Sequence, residues 1–521
     1  MGRTPGFAIL RRIMQFAMLC EEQNISTAEG LERVAEAQWS RRQFLSVTAR
    51  ATVGAVLSPV LLQRPAWGAT APRVVIIDAG CAGLTCAYRL QQRGLYAQVL
   101  EASKRVGGRM FSLRNTFPDG QVVELGGELI DTGHHSLRRL ARELGLTLVD
   151  LHKGGEHLHE VFYFDGRQVP LPEVIESFHS AAKRIRNDVA TLKGKGPVTY
   201  RSPRNAQALD QMSLAEWCEK REVTGTLRMV LESAYSSEFG LEANEQSALN
   251  LLLMISTTPG SFALFGESDE RFHIAEGNDS VPKKLAEQLK RPVELETRLE
   301  AIRQQQNGTY TLTVNQRGTV QDIPAEKVVL ALPFTLLRQV DLRGVELPPV
   351  KRLAIETLGY GTNAKLMIGF SQRVWHEAKG NGSTLTDLPY HVSWDTSRGQ
   401  RGTHGILTNF AGGKRGLEMG EGTPEERAAK VASSLNAIFP GIAAMQTKQA
   451  VRFFWPSSPF TLGSYACYKP GQYTTIAGAE REAVGGLHFA GEHTSLDFQG
   501  FMNGASESGE RVAQEILHRK A

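Results

Sequence analysis

The chain is poor in several things, and each shortage narrows what it can be. Five cysteines (Cys20, Cys81, Cys86, Cys218 and Cys467) occur in 521 residues. They are too few, too scattered and odd in number for a disulfide framework or a thiolate metal cluster. They read as small buried residues. Charge of one sign is lacking too: the net charge is +4, and no dense Lys/Arg block with interleaved aromatics occurs, which argues against nucleic acid as a partner. No apolar run is long enough for a stable membrane span, and there is no internal repeat or low-complexity tract. What remains is an ordinary globular composition, 41% hydrophobic and 22% charged, with length for two domains and substantial cores.

Before the first strand lies Ser40-Arg-Arg-Gln-Phe-Leu45, then the modestly apolar Ala51 to Leu62 and the small-residue stretch Gly68-Ala-Thr-Ala71. Paired arginines ahead of a short apolar stretch resemble a twin-arginine export signal, which implies a periplasmic or secreted protein. The alternative is an amphipathic helix that happens to contain Arg41-Arg42. Residues 1–39 precede the arginines, where such signals usually begin, and carry no reading of their own.

Further on, Val74-Val-Ile-Ile77 and Ala97-Gln-Val-Leu100 read as strands, and Ser136 to Leu144 as a helix by its apolar spacing. Phe162 to Val169 reads as a hairpin turning at Asp165-Gly166. Leu171 to Ile255 is mainly helical, broken by a loop over Lys193 to Pro203. Strands return at Val293-Glu-Leu-Glu296, Tyr310 to Val314 and Lys327 to Leu332, the last stopped by Pro333. Thr423-Pro-Glu-Glu426 is a helix cap with Glu at the capping-box position. Gly412-Gly-Lys-Arg-Gly416 lacks phosphate-loop spacing and reads as a turn.

The chemistry sits at the two ends of the chain. Asp78-Ala-Gly80-Cys-Ala-Gly83 follows a strand and opens a helix, the context of a dinucleotide-binding fingerprint. About twenty residues later the second strand ends in Glu101, where a carboxylate can hold ribose hydroxyls. Lys104-Arg-Val-Gly-Gly108-Arg109 follows. Glu124-Leu-Gly-Gly127, Phe489-Ala-Gly-Glu492 and Gly500-Phe-Met-Asn-Gly504-Ala complete the set. From Val74 to Leu517 these segments resemble the flavin-containing amine oxidase family.

The resemblance implies an α/β fold: a discontinuous Rossmann-like FAD-binding domain with an inserted α+β substrate domain. The expected divisions are an arm and signal (1–71), FAD-binding segments (72–148 and 270–342), substrate segments (149–269 and 343–446) and a final stretch of cavity strands and FAD-binding helix (447–521). It implies noncovalent FAD held by Gly80, Gly83, Glu101, Gly108, Arg109, Gly127, Glu492 and the helix N-terminus at Met502. Lys365, on the strand Ala364 to Phe370, matches the family's lysine that holds a water beside flavin N5. Tyr465 and Phe501 match the paired aromatics that orient an amine, and Trp455 lies on the cavity strand. Ser464 stands where monoamine oxidases have a flavin-linking cysteine.

Two departures stand out. The family has Gly where this chain has Asp78, a side chain of the wrong charge for a pyrophosphate site. The arginine that grips a substrate carboxylate in many L-amino acid oxidases is absent from Glu124-Leu-Gly-Gly-Glu128-Leu-Ile-Asp131. Glu128 either attracts a cationic amine or stabilises the loop. The implied reaction is oxidation of a primary amine or L-amino acid, with O2 as the second substrate. Other readings are a related flavin desaturase or porphyrinogen-type oxidase, and a flavin-poor binding protein. A homodimer is compatible with the sequence.

Overall fold

A computed structural model of the chain describes residues 5–31, 33, 73–153, 158–255 and 269–518. Its centre is a four-stranded parallel sheet in the order Leu487–Phe489, Lys327–Leu330, Val74–Ile77, Gln98–Leu100. All four residues of Val74–Ile77 are buried, which is why this strand reads as a continuous apolar run rather than an alternation. The helices Cys81–Gln91 and Met502–His518 lie packed together beside it. A Cβ on Gly509 would stand 2.3 Å from the Ala82 carbonyl oxygen, so that helix crossing admits only glycine.

A seven-stranded sheet carries the opposite wall of the site, in the order Gln446–Phe454, Ala364–Phe370, Gly405–Ala411, Val392–Asp395, Gly380–Thr386, His159–Phe164, Arg167–Val169. The last two strands form a hairpin with Asp165 and Gly166 both at positive φ, 53° and 73°, the turn that Asp-Gly favours. The capping box at Thr423 is formed as its spacing requires. A third sheet joins Thr319–Ala325, Tyr310–Gln316, Thr297–Gln304 and Asp341–Gly344.

Two local expectations are corrected. The alternation Val293 to Glu296 is not a strand; its backbone makes one isolated bridge, Leu100 to Glu294, and the strand begins at Thr297. The glycines at 412–416 do not form a free turn but start a helix, Gly413–Gly420.

Ahead of the nucleotide fold, Pro5–Gln23 is a helix. Leu10, Ile13, Met14, Ala17 and Met18 are buried at the spacing of one helical face and belong to the same apolar core as Phe178, Trp217 and Tyr235. The helix lies against Leu171–Ala190; Glu21 pairs with Arg186 at 2.6 Å and Thr27 donates to Glu176 at 2.7 Å. The arm expected to precede a signal is thus part of the folded body, while Arg41-Arg42 and the apolar stretch after them lie outside the described residues. Among the described residues no helix is long and apolar enough to cross a membrane, and no group of side chains could hold a metal ion. All five cysteines are buried, and none forms a disulfide.

Candidate active site

A narrow cavity with an open volume of about 1280 Å³, solvent mouth included, runs from the glycine turns to the seven-stranded sheet. At one end, Val74–Ile77 leads into Asp78 at φ 86°, a left-handed conformation that Asp tolerates better than most residues. Gly80 then caps the helix that starts at Cys81, and that helix N-terminus faces the cavity through Cys81 and Ala82. Gly107 and Gly108 are left-handed too. Gly107 donates to the Ala79 carbonyl at 2.9 Å, and a Cβ on Gly108 would come within 3.4 Å of the Gly80 Cα. Two bare backbone turns therefore face one ligand-sized groove.

Gly83 and Glu101 do not line the cavity; they build its floor. A Cβ on Gly83 would lie 2.0 Å from the Asp78 carbonyl oxygen. The Glu101 carboxylate is buried and accepts the backbone N–H groups of Ala79 at 2.9 Å and Ser103 at 2.8 Å. The Asp78 side chain lies on the groove wall beside Gly80. Burial first, then the neighbouring Glu101 charge, push its carboxyl well above the ordinary carboxylate range. The wrong-sign charge expected from the sequence is thereby suppressed: the proton is retained to higher pH.

Arg109 and Glu492, 383 positions apart, meet at 2.8 Å. Glu492 also accepts from Ala466 N–H at 3.3 Å and Gly500 N–H at 2.7 Å, and Arg109 donates to the Ser464 carbonyl at 2.7 Å. Burial opposes the Arg109 charge, but Glu492 restores it and holds the guanidinium above its usual range. One ion pair thus ties together the Gly107-Gly108 turn, the non-strand segment Ser464 to Ala466 and the entrance to the last helix. Met502 begins that helix, and its side chain lies where a Cβ on Gly127 would be, 2.7 Å away.

At the other end Lys365 projects from Ala364–Phe370, the second strand of the seven-stranded sheet. Its Nζ donates to the Glu124 carbonyl at 3.1 Å, the Gly126 carbonyl at 2.8 Å and Glu128 Oε2 at 2.8 Å. Glu128 Oε1 accepts from Trp394 Nε1 at 2.8 Å and Thr396 Oγ1 at 2.9 Å. Of the two roles open to Glu128, this geometry supplies the loop-holding one, since both oxygens are engaged inside the protein. Trp455, Tyr465 and Phe501 line the same cavity. Trp455 donates to the Leu125 carbonyl at 3.2 Å and Tyr465 to the Ser237 carbonyl at 3.2 Å, while the Phe501 ring stands edge-on to His134 at 5.1 Å. Ser464 is buried and donates to Asn363 at 2.5 Å.

Comparison with known proteins bears on what this cavity holds. The sequence profile described as "Flavin containing amine oxidoreductase" matches residues 81–517. The chain belongs to that family. Flavin-containing amine oxidase of Oncorhynchus mykiss is 25% identical over 459 residues, covering 85% of each chain. Human amine oxidase B is 26% identical over 458 residues, covering 85% of this chain and 86% of the human protein. Cyclohexylamine oxidase from Brevibacterium oxydans has a similar fold, with a TM-score of 0.75, 24% identity and 85% and 98% of the two chains covered. Putrescine oxidase bound to putrescine scores 0.72 at 22% identity, covering 86% and 99%.

This amine oxidase family member is therefore a flavin-dependent oxidoreductase acting on amines, and its own residues fit the cofactor. The bare turns at Gly80 and Gly107-Gly108 are a cradle that any Cβ would narrow, the helix N-terminus behind them suits a phosphate, and Arg109 supplies a paired cation on the cavity wall. Lys365, Tyr465 and Phe501 lie in one cavity with the glycines, and the three N–H donors of Lys365 go to protein acceptors rather than to the water that the resemblance implies for it. Asp131, Glu270, Asn363 and Trp394 also line the cavity and carried no motif. Asp131 was at least adjacent to one, three residues past Glu128; Trp394 sits on a strand with nothing to single it out.

Proposed function

We propose that the chain is an oxidase of amines without a carboxylate group, using noncovalently bound FAD. The observation that supports this choice over L-amino acids is the charge of the cavity. With Asp78 keeping its proton to higher pH, Glu128, Asp131, Glu270 and Glu492 line it as carboxylates, against Arg109 and Lys365 as the cations among its described lining residues. Both cations are already paired with carboxylates. A substrate carboxylate would meet no unpaired cation there, whereas an ammonium group meets a surplus of negative charge.

FAD held at Gly80, Gly107, Gly108 and Arg109 would supply a two-electron acceptor for oxidation of the amine to an imine, with O2 as the final oxidant giving H2O2; water would then hydrolyse the imine to an aldehyde or ketone and ammonia. The protein's part is to hold and orient. Gly80, Gly107 and Gly108 admit the phosphates close to the backbone; Tyr465, Phe501 and Trp455 give apolar walls that exclude water. Ser464 offers no thiol for a flavin linkage. A peroxide-coupled screen of monoamines, diamines and L-amino acids tests the substrate class: amines should be turned over at kcat/KM at least tenfold above any L-amino acid, and the reverse order would overturn the choice. Acid denaturation should release all flavin to the supernatant, and flavin held in the pellet would contradict noncovalent binding.

We also infer export by the twin-arginine route, on the strength of Arg41-Arg42 and the stretch that follows. This route carries folded proteins, which agrees with a cofactor-loaded flavoprotein.

A further inference from the structure

We propose that Glu128 is a positioning residue whose carboxylate neutralises Lys365 and thereby holds down the electron affinity of the bound flavin. This rests on the flavin reading above but concerns a residue pair to which the family resemblance gives no joint role. A lysine ammonium has three N–H donors. In Lys365 all three are engaged by protein acceptors: two backbone carbonyls, Glu124 and Gly126, and one oxygen of Glu128. The side chains of Lys365 and Glu128 are only 7% and 8% exposed. Trp394 and Thr396 fix the far oxygen of Glu128, and the Lys365 ammonium lies 5.2 Å from the Trp394 ring centroid. The lysine is thus locked in place and its charge cancelled on the cavity wall.

A lone cation in a poorly screened cavity would stabilise the negative charge that reduction puts on a nearby flavin, while a neutral pair does so much less. Glu128 therefore sets a lower reduction potential than Lys365 alone would impose. A second carboxyl bears on the lysine. Glu124, whose backbone carbonyl is one of the acceptors, has its side chain bonded to Asn278 N–H and Ser112. Burial first, with the Glu128 charge among the lesser causes, pushes it up to about 7. Once Glu128 is neutral, Glu124 ionises more readily and offsets part of the effect, so both must be removed to see it in full.

The test uses FAD-loaded enzyme without substrate. Sulfite affinity and the reduction potential by dye equilibration both report flavin electron affinity. Glu128→Gln should tighten sulfite binding by roughly tenfold and raise the potential. Glu124→Gln/Glu128→Gln should go further, and Lys365→Met/Glu128→Gln, which removes both charges, should return both readouts to near the wild type. Unchanged sulfite affinity and potential in the first two variants, with flavin content and melting intact, would overturn the proposal. If Glu128→Gln does not accumulate as holoenzyme, the pair deletion decides: recovery of holoenzyme with wild-type sulfite affinity supports the pairing, and failure to recover overturns it. A wild-type chain that takes up no FAD fails differently, since it overturns the flavin reading itself before any variant is compared.

Discussion

Asp78 is the residue on which cofactor affinity turns. It holds a left-handed backbone where glycine would carry no strain, and its carboxyl keeps a proton to unusually high pH because it is buried beside Glu101. A group whose folded pKa is raised stabilises the folded state at low pH, and that stabilisation is lost as pH rises from the ordinary value of 3.8 through the raised one. The apo protein should therefore lose stability across that window, and Asp78→Asn should flatten the dependence in melting curves. FAD affinity should fall with the same rise in pH, because the ionised carboxyl repels phosphate. Asp78→Gly removes both the strain, about 1 kcal/mol or more, and a repulsion of up to roughly 4 kcal/mol. Titration of apo protein with FAD should show tighter binding, with a gain that grows as pH rises; a gain independent of pH would mean that the carboxyl does not face the phosphates. The sequence disclosed the departure at Asp78 but not its remedy, because the carboxyl that raises its pKa is 23 positions away and reaches it only through the turn.

Among elements, the N-terminal helix is the least legible and the most consequential. Its apolar face is clear once seen, but nothing local says that Leu171–Ala190 waits to receive it. Burying Leu10, Ile13, Met14 and Met18 is worth about 1.5–3 kcal/mol each as an upper estimate, in sum comparable with the 5–15 kcal/mol that holds a typical domain folded. A chain beginning at residue 73 should melt at least 10 °C lower than the full chain or fail to accumulate as soluble protein; a shortened chain with an unchanged melting curve would make the helix dispensable. Where local chemistry dominates, reading was easier: Asp165-Gly166 forced its hairpin and Thr423 with Glu426 its cap. Val293 to Glu296 misled because alternation is shared by strands and by extended connections that pair with nothing beyond a single bridge. Gly412-Gly413 misled because the left-handed Gly413 both opens a helix and looks like a turn.

At the scale of the molecule, the family and its α/β architecture were legible because short motifs at both ends of the chain need each other: the strands that lead into Glu101 and Glu492 lie in one sheet. The substrate class we propose was not, because the charge balance that supports it is assembled from many segments, with Glu128 and Lys365 237 positions apart. The ion pair between Arg109 and Glu492 also sets an order of events in time. Translation at about 5–20 residues per second leaves roughly 20–75 s between the synthesis of its two members. Until Glu492 is made, the nascent chain has its glycine cradle without the carboxylate that pairs Arg109 and without the last helix. Tight cofactor capture therefore waits for the segment after Glu492, so newly made protein passes through an apo state whose lifetime depends on the cell's supply of free FAD.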